Sequence, residues 1–360
     1  MPDTDERRPR VLTGDRPTGP LHLGHLVGSL RARVAMQDEH TSFVLIADLH
    51  ALATRSDRDS IERMHEHVRS IVADLLAAGI DPDETTLYLQ SAVPAVYDLA
   101  VLLQMITPRR RLERLPSLAV MARDARLADD EVTMGLLGYP VLQAADILMA
   151  RAELVPVGAD NVERVELART LAETFNERYE PIFPLPAPRV ATVPALPGVE
   201  TVPGGMRRKM SKSLGNAVYL SDPPDVVRDK LRTLCRLDGL APDDQPLAAF
   251  VHAFLPSDEA DETARAFAEG RLSEAAVLDR VVEAVEAELA PIRERRAAVE
   301  QDPDRIDEVL VDGTIRARDV AYATLEDVRR AMGLATFWDQ AVEAAHARSR
   351  RRKTPFGPPS

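Results

Sequence analysis

The first two hundred residues of this 360-residue chain alternate between two hydrophobic patterns, and that alternation constrains the fold most. Short runs rich in β-branched and apolar residues occur at Val11–Gly14, Ser42–Ala47, Thr86–Gln90 and Glu153–Val157. Between them lie segments with apolar residues at helical spacing, at 26–37, 60–78, 95–105, 141–151 and 161–175. Strands separated by helices run parallel, because each crossover covers a sheet face before the chain returns. The expectation is an α/β fold, a Rossmann-like parallel sheet with ligands bound beyond the carboxyl ends of its strands. Tyr179 to Gly205 is proline-rich and predicts an irregular connection. Beyond Ser221-Asp222-Pro223-Pro224 the pattern is helical almost to the end, strongest over Glu274–Val299 and Ala317–Met332. That predicts a second, all-helical domain at the C-terminus.

Two motifs carry chemistry. His22-Leu23-Gly24-His25 follows the first predicted strand and opens the first predicted helix. Backbone N–H groups and the positive end of a helix dipole meet there, a setting suited to phosphate. The two histidines can donate to phosphate oxygens, while the glycine lets the backbone come close. Lys209-Met210-Ser211-Lys212-Ser213 follows Pro203-Gly204-Gly205 and reads as a mobile cationic loop able to close over a pyrophosphate leaving group. Either motif alone is weak, since His-x-Gly-His recurs by chance and a Lys/Ser loop is usually a solvated one.

Bulk properties narrow the class. At 45% hydrophobic the chain is ordinary for a globular protein, and its length suits roughly two domains. One cysteine, Cys235, excludes an internal disulfide framework and fits a reducing cytoplasm. No run nears the ~18 apolar residues of a membrane span, and the charged start, Met1 to Arg8, does not read as a secretory leader. The net charge of −13 argues against indiscriminate nucleic-acid binding. It leaves room for a local basic surface, for which Arg109-Arg110-Arg111 with Arg114, Arg207-Arg208-Lys209 and the tail from Arg348 to Lys353 are candidates. Each can equally be a solvated charge cluster.

The segment Tyr139 to Leu148 bears on specificity. From Val141 to Ala150 its polar residues are Gln143 and Asp146, three apart and so on one helix face. A carboxylate in a segment suited to burial is costly without a partner. One reading is an ion pair or a cap to a neighbouring loop. The other is the floor of a pocket, accepting a hydrogen bond from a substrate N–H or O–H.

The two motifs, in this order and separation, resemble those of the class I aminoacyl-tRNA synthetases. Further residues narrow the resemblance to the bacterial tryptophanyl-tRNA synthetases. They are Gly14-x-x-Pro17-Thr18-Gly19, Asp48-x-His50-Ala51, Ala144-Ala145-Asp146-Ile147-Leu148, Val155-Pro156-Val157-Gly158-Ala159-Asp160, Glu166-Leu167-Ala168-Arg169, Phe175-Asn176, Asp312-Gly313 with Ala317, and Arg329 to Gly333. The resemblance spans about residues 10–335 and implies ATP-dependent activation of L-tryptophan, with Mg²⁺, and transfer to tRNA(Trp). It implies His22, His25, Lys209 and Lys212 as catalytic residues. It implies an ATP site of Arg16, Thr18, Gly24, His25, Gly158, Asp160, Lys209, Met210, Ser211, Lys212 and Ser213. Leu12, Gly14, His50, Tyr139, Gln143, Asp146, Val155 and Val157 would form the tryptophan site, with Asp146 taking the indole N–H. No protein-bound metal is expected. The implied organisation is a disordered start (1–9), a catalytic domain (10–205) with dimer-interface helices about 91–140, the mobile loop (206–216), a tRNA-binding helical domain (217–345) and a basic, disordered tail (346–360). A cytoplasmic homodimer is implied, with tRNA crossing between subunits.

Departures from the usual pattern resemble auxiliary members. The family mostly has Thr-x-Gly-Asn where His22–His25 stands, glutamine at Arg16 and Asn161, methionine at Gln143, and a phosphate-binding lysine near Ala119. Tyr139-x-x-x-Gln143-x-x-Asp146 also resembles the tyrosyl enzymes, which keep the fold and change the substrate. A silent regulatory paralogue would be expected to have lost histidines or lysines that are intact here. A simple nucleotidyltransferase would lack the helical domain.

Overall fold

The computed structural model describes residues 8–124, 127–158, 161–190, 195–199, 209–234, 246–334 and 336–353. The chain enters through β1 (Arg10–Asp15) and turns into α1 (Leu23–His25), a π-helical stretch (Leu26–Leu30) and α2 (Arg31–Met36). β2 (Thr41–Ile46) leads to α3 (Asp48–Leu52) and α4 (Arg58–Ala78), then β3 (Thr85–Leu89). Next come α5 (Ala95–Gln104), α6 (Arg109–Glu113), α7 (Pro116–Asp124), α8 (Met134–Met149), β4 (Leu154–Val157), α9 (Val162–Arg178) and β5 (Ala187–Val190). The remainder is helical: α10 (Pro224–Arg232), α11 (Pro246–Phe254), α12 (Ser257–Ala268), α13 (Glu274–Glu300), α14 (Pro303–Ala331) and α15 (Thr336–Lys353).

The strands form one parallel sheet in the order β3-β2-β1-β4-β5. The chain winds outward from β1 to β3, then crosses to β4 on the other side of β1. The carboxyl ends of β1 and β4 therefore flank the switch point where such sheets bind ligands. The four sequence-predicted strands all form, each with its ends shifted by at most one residue. The fifth, β5, lies inside the proline-rich stretch expected to be irregular. It survives there because it is an edge strand bonded only to β4, where Pro188 leaves no ladder bond unmade. Helix α15 likewise extends to Lys353, into the stretch from 346 expected to be disordered. That stretch holds good helix formers, alanine and arginine, and the first proline comes only at Pro355.

Two hydrophobic cores cover the sheet. One joins Leu21 to Leu30, Ile71 to Ala77 and Val44 with Val218, Leu231, Phe250 and the inner face of α13. The other joins β1, β2, α5, α8 and α9 with Ala317, Ala321, Leu325 and Val328 of α14. The C-terminal helices thus share their cores with the sheet. The contact is tightest at Gly313, where an added Cβ would lie 1.9 Å from the Leu87 carbonyl oxygen of β3. Helix and strand backbones meet there with no room for a side chain. Gly313→Ala should therefore cost about 1–3 kcal/mol, read as a lower denaturant midpoint with an unchanged slope. Wild-type stability would refute the close approach.

Candidate active site

The turn after β1 is held by its own side chains. The His22 Nδ1 accepts the Gly24 N–H at 3.1 Å, and the His25 Nδ1 accepts the His22 N–H at 3.2 Å. With both Nδ1 atoms accepting, the neutral tautomer carries its proton on Nε2 in each ring, leaving two N–H donors for a ligand. The rings lie 3.8 Å apart at their centroids. Burial drives both below the usual histidine range, His22 to about 2 and His25 to about 3, with nearby cations adding to it. Gly24 is needed for this packing, because a Cβ there would sit 2.9 Å from the His22 ring.

The second motif docks on the first. Leu23 N–H bonds the Val218 carbonyl at 2.9 Å and Leu220 N–H the Leu21 carbonyl at 3.0 Å, with a bridge between His22 and Tyr219. Met210 is buried, and its N–H bonds the Leu196 carbonyl. The Asn216 carboxamide oxygen takes the Ser211 N–H at 2.8 Å. Lys212 Nζ reaches the Gly19 carbonyl at 2.7 Å. Burial lowers the Lys212 pKa to about 8, against the pull of Asp15 and Asp74. A half-dry ammonium there is poised for an anion.

Two buried ion pairs brace this turn. Asp15, the last residue of β1, pairs with Arg33 of α2. Burial raises its pKa, but Arg33 first and then His25 bring it down to about 2. Asp74 of α4 accepts the Leu21 N–H at 2.7 Å and pairs with Arg296 of α13. Its pKa rises to about 6 through burial, opposed by Arg296.

On the other side of β1 a second polar group is sealed among apolar side chains. Asp146 Oδ2 accepts the His50 Nε2–H and the Gln90 Nε2–H, each at 2.8 Å. Burial pushes its carboxyl above the usual range, and those two donors pull against that. Asp146 Oδ1 is buried without a partner, as are Gln143 Oε1, His50 Nδ1 and the Tyr88 hydroxyl. The Tyr139 ring packs on His50 at 4.4 Å, with the Arg164 guanidinium 5.3 Å above it. Leu12 and Val155 belong to the core beneath, and Val157 packs against it. Gly14 faces the Leu45 backbone.

One carboxylate oxygen of Asp146 is tied to protein, as the structural reading expects, and the other is buried without a partner. His50 joins it, as does Gln90, which sequence reasoning missed. A glutamine at the end of an apolar strand was the available signal. Tyr88 was missed for the same reason. Asp160, Arg207, Arg208 and Cys235 lie outside the described residues, as does the side chain of Ser213. Ala119 and Arg123 lie on α7, which packs on α8.

A family model described as tRNA synthetases class I (W and Y) matches residues 4–290. The tryptophan–tRNA ligase of Treponema pallidum is 46% identical over 338 residues, covering 90% of this chain and 97% of that protein. The chain belongs to the class I tryptophanyl-tRNA synthetases. The Chlamydia caviae ligase of the same name is 38% identical over 342 residues, covering 92% and 98%. Among solved structures, the Campylobacter jejuni tryptophanyl-tRNA synthetase complexed with ADP and tryptophan superposes with a TM-score of 0.75. It is 28% identical, with 90% of this chain and 99% of that one covered. A tyrosyl-tRNA synthetase from Archaeoglobus fulgidus shares the fold, with a TM-score of 0.61 at 21% identity.

In this synthetase the Asp15–Arg33 pair carries a pH signature. A carboxylate lowered from 3.8 to about 2 stabilises the native state above pH ~4 and loses that contribution as pH falls through 2. Its size is about 2 kcal/mol. Asp15→Asn should be less stable than wild type at pH 7, and the gap should narrow between pH 4 and 2. A gap independent of pH in denaturant titrations would disprove the linkage.

Proposed function

We propose that this chain activates L-tryptophan with ATP and transfers it to tRNA(Trp). The observation that carries the reading is the unpaired Asp146 Oδ1, buried beside His50, Gln143 and Tyr139. An indole N–H is the donor such an acceptor lacks. The His50 and Gln90 N–H groups on Oδ2 keep the carboxylate oriented, so that the pocket discriminates by leaving a charge unsatisfied when the donor is missing. A phenol hydroxyl could donate to the same face, which is the tyrosine alternative. The relatives named for tryptophan, at up to 46% identity over nearly the whole chain, favour indole.

The tryptophan carboxylate attacks the α-phosphorus of ATP in line, giving tryptophanyl-adenylate and pyrophosphate. His22 and His25 donate from Nε2 to phosphoryl oxygens. Lys209 and Lys212 offset charge building on the leaving group. Arg16, Thr18, Gly24, Gly158, Asp160, Met210, Ser211 and Ser213 complete the ATP site. Leu12, Gly14, Val155 and Val157 complete the tryptophan site. A terminal ribose hydroxyl of tRNA then attacks the adenylate. No group of three or more His, Cys, Asp or Glu suited to a metal occurs among the described residues.

The domain scheme remains part of this reading. Closure of the 206–216 loop is supported by the Lys212–Gly19 contact. A homodimer through helices about 91–140 is supported by apolar side chains exposed there, Val101, Met105, Val120 and Met134. The helical region would bind tRNA, and an auxiliary role is compatible with the His22 and Arg16 departures. No helix among the described residues is long and apolar enough to cross a membrane.

Tryptophan-dependent pyrophosphate exchange across the twenty amino acids tests the activity; preference for tyrosine would overturn it. Asp146→Ala should lower kcat/KM for tryptophan by about 2–5 kcal/mol with ATP affinity nearly intact. Asp146→Asn, with one carbonyl oxygen left to accept, should fall between. A benzofuran analogue lacking the N–H should be rejected by wild type and much less by the alanine variant. Equal discrimination in both would return Asp146 to a purely structural role. Lys212→Ala should slow adenylate formation by about two to four powers of ten while sparing tryptophan binding. Single-turnover rates within tenfold of wild type would refute the loop's role.

A further inference from the structure

Beside the ATP-facing turn is a cavity of about 90 Å³ lined by Pro17, Ala51, Arg55, Ser60, Arg63 and His67, with Met64 at its base. It has room for several waters or one phosphoryl group. Its wall is cationic. Arg55 Nη1 donates to the Thr18 carbonyl at 3.4 Å, one residue before the Gly19 carbonyl that holds Lys212. Arg63 uses only Nε, on the Asp59 carbonyl at 3.2 Å. Neither arginine forms an ion pair with a carboxylate among the described residues, and Arg16 likewise forms none. The acids nearby make their close contacts with other groups, Asp15 with Arg33, Asp74 with Arg296, and Asp57 with the Ser60 N–H at 2.9 Å, and act on Lys212 and Arg63 only through space. His67 faces the Pro17 carbonyl, and burial first, then Arg55, Lys212 and Arg63, lower its pKa. Arg16 and Arg55 act on Lys212 in the same sense. Mutually repelling cations gathered here, with no carboxylate in ion-pair contact with Arg55 or Arg63 among the described residues, are costly, and an anion relieves that cost.

We propose that Arg55 and Arg63, with His67, form a subsite for the terminal phosphate of ATP, and hence for the pyrophosphate released. The inference rests on the ATP-dependent activation above and adds residues from the α3–α4 junction to the ATP site. The guanidinium forks grip the end of the triphosphate, and Lys212 bridges from the Gly19 side. The α-phosphorus is then set by contacts at both ends of the chain of phosphates.

The test uses the full-length protein carrying R55Q/R63Q, checked for an unchanged unfolding midpoint. Hydrogen bonds to a charged group of this kind convert to about tenfold to a hundredfold in affinity. The KM for ATP and the inhibition constant for inorganic pyrophosphate should rise by that factor. Affinity for AMP, which lacks the terminal phosphates, and the KM for tryptophan should stay unchanged. R55K/R63K should recover part of the loss, since it restores charge without the fork. A parallel loss of AMP and ATP affinity would overturn the proposal, marking the arginines as supports of the turn. Unchanged ATP and pyrophosphate values with a raised KM for tRNA would overturn it in favour of the tRNA backbone. Exchange absent from the wild type would sink the activity itself, and calorimetry with pyrophosphate alone still reads the pocket.

Discussion

Two short pieces of backbone, Leu21–Leu23 and Val218–Leu220, hold each other by a pair of antiparallel hydrogen bonds. The arrangement of the His22–His25 and Lys209–Ser213 motifs depends on that pairing. It brings residues nearly two hundred apart in sequence into one turn, and it points the lysine segment back over the histidines. The apolar side chains on either side, Leu21, Leu23, Val218 and Leu220, are all buried in one core. The pairing is therefore as hard to break as the core is to open.

Charge is buried around this turn at a cost that burial alone does not repay. Asp15 with Arg33 and Asp74 with Arg296 are the two braces, and each ties the turn to a different helix. Removing one partner leaves the other charge stranded, so geometry at the turn is held by the penalty for losing it. Asp74 deserves its place for a second reason: its partner comes from α13. The Leu21 amide, one residue before His22, is thus tied to the C-terminal helices through a single carboxylate. On the far side of β1 the Asp146 carboxylate follows a different design. One oxygen is fully served by His50 and Gln90, and the other is buried without a partner.

Much of the sheet was readable because period-two and helical patterns record burial directly. β1 to β4 follow from their apolar runs, and both motifs from residue types set beside a strand end or in a loop after glycines. β5 was not readable, since an edge strand needs bonds on one side only and so tolerates the prolines that otherwise argue against a strand. Gln90 was not readable either. A glutamine that ends a strand is ordinary until a carboxylate from another helix arrives beside it.

The residues alone determined the fold class, the His22–His25 and Lys209–Ser213 motifs and the polar pair Gln143 and Asp146 on one helix face. These are local facts, set by spacing along a strand or helix. Tertiary structure decided which oxygen of Asp146 is left without a partner, which nitrogen of each histidine can donate, and which arginines form no ion pair among the described residues. Those depend on neighbours distant in the chain. Arg55 and Arg63 read as ordinary surface arginines in sequence. Only the folded chain sets Arg55 against Thr18 and within reach of Lys212, with Arg63 lining the same cavity, because Coulomb interactions follow distance in space and not along the chain.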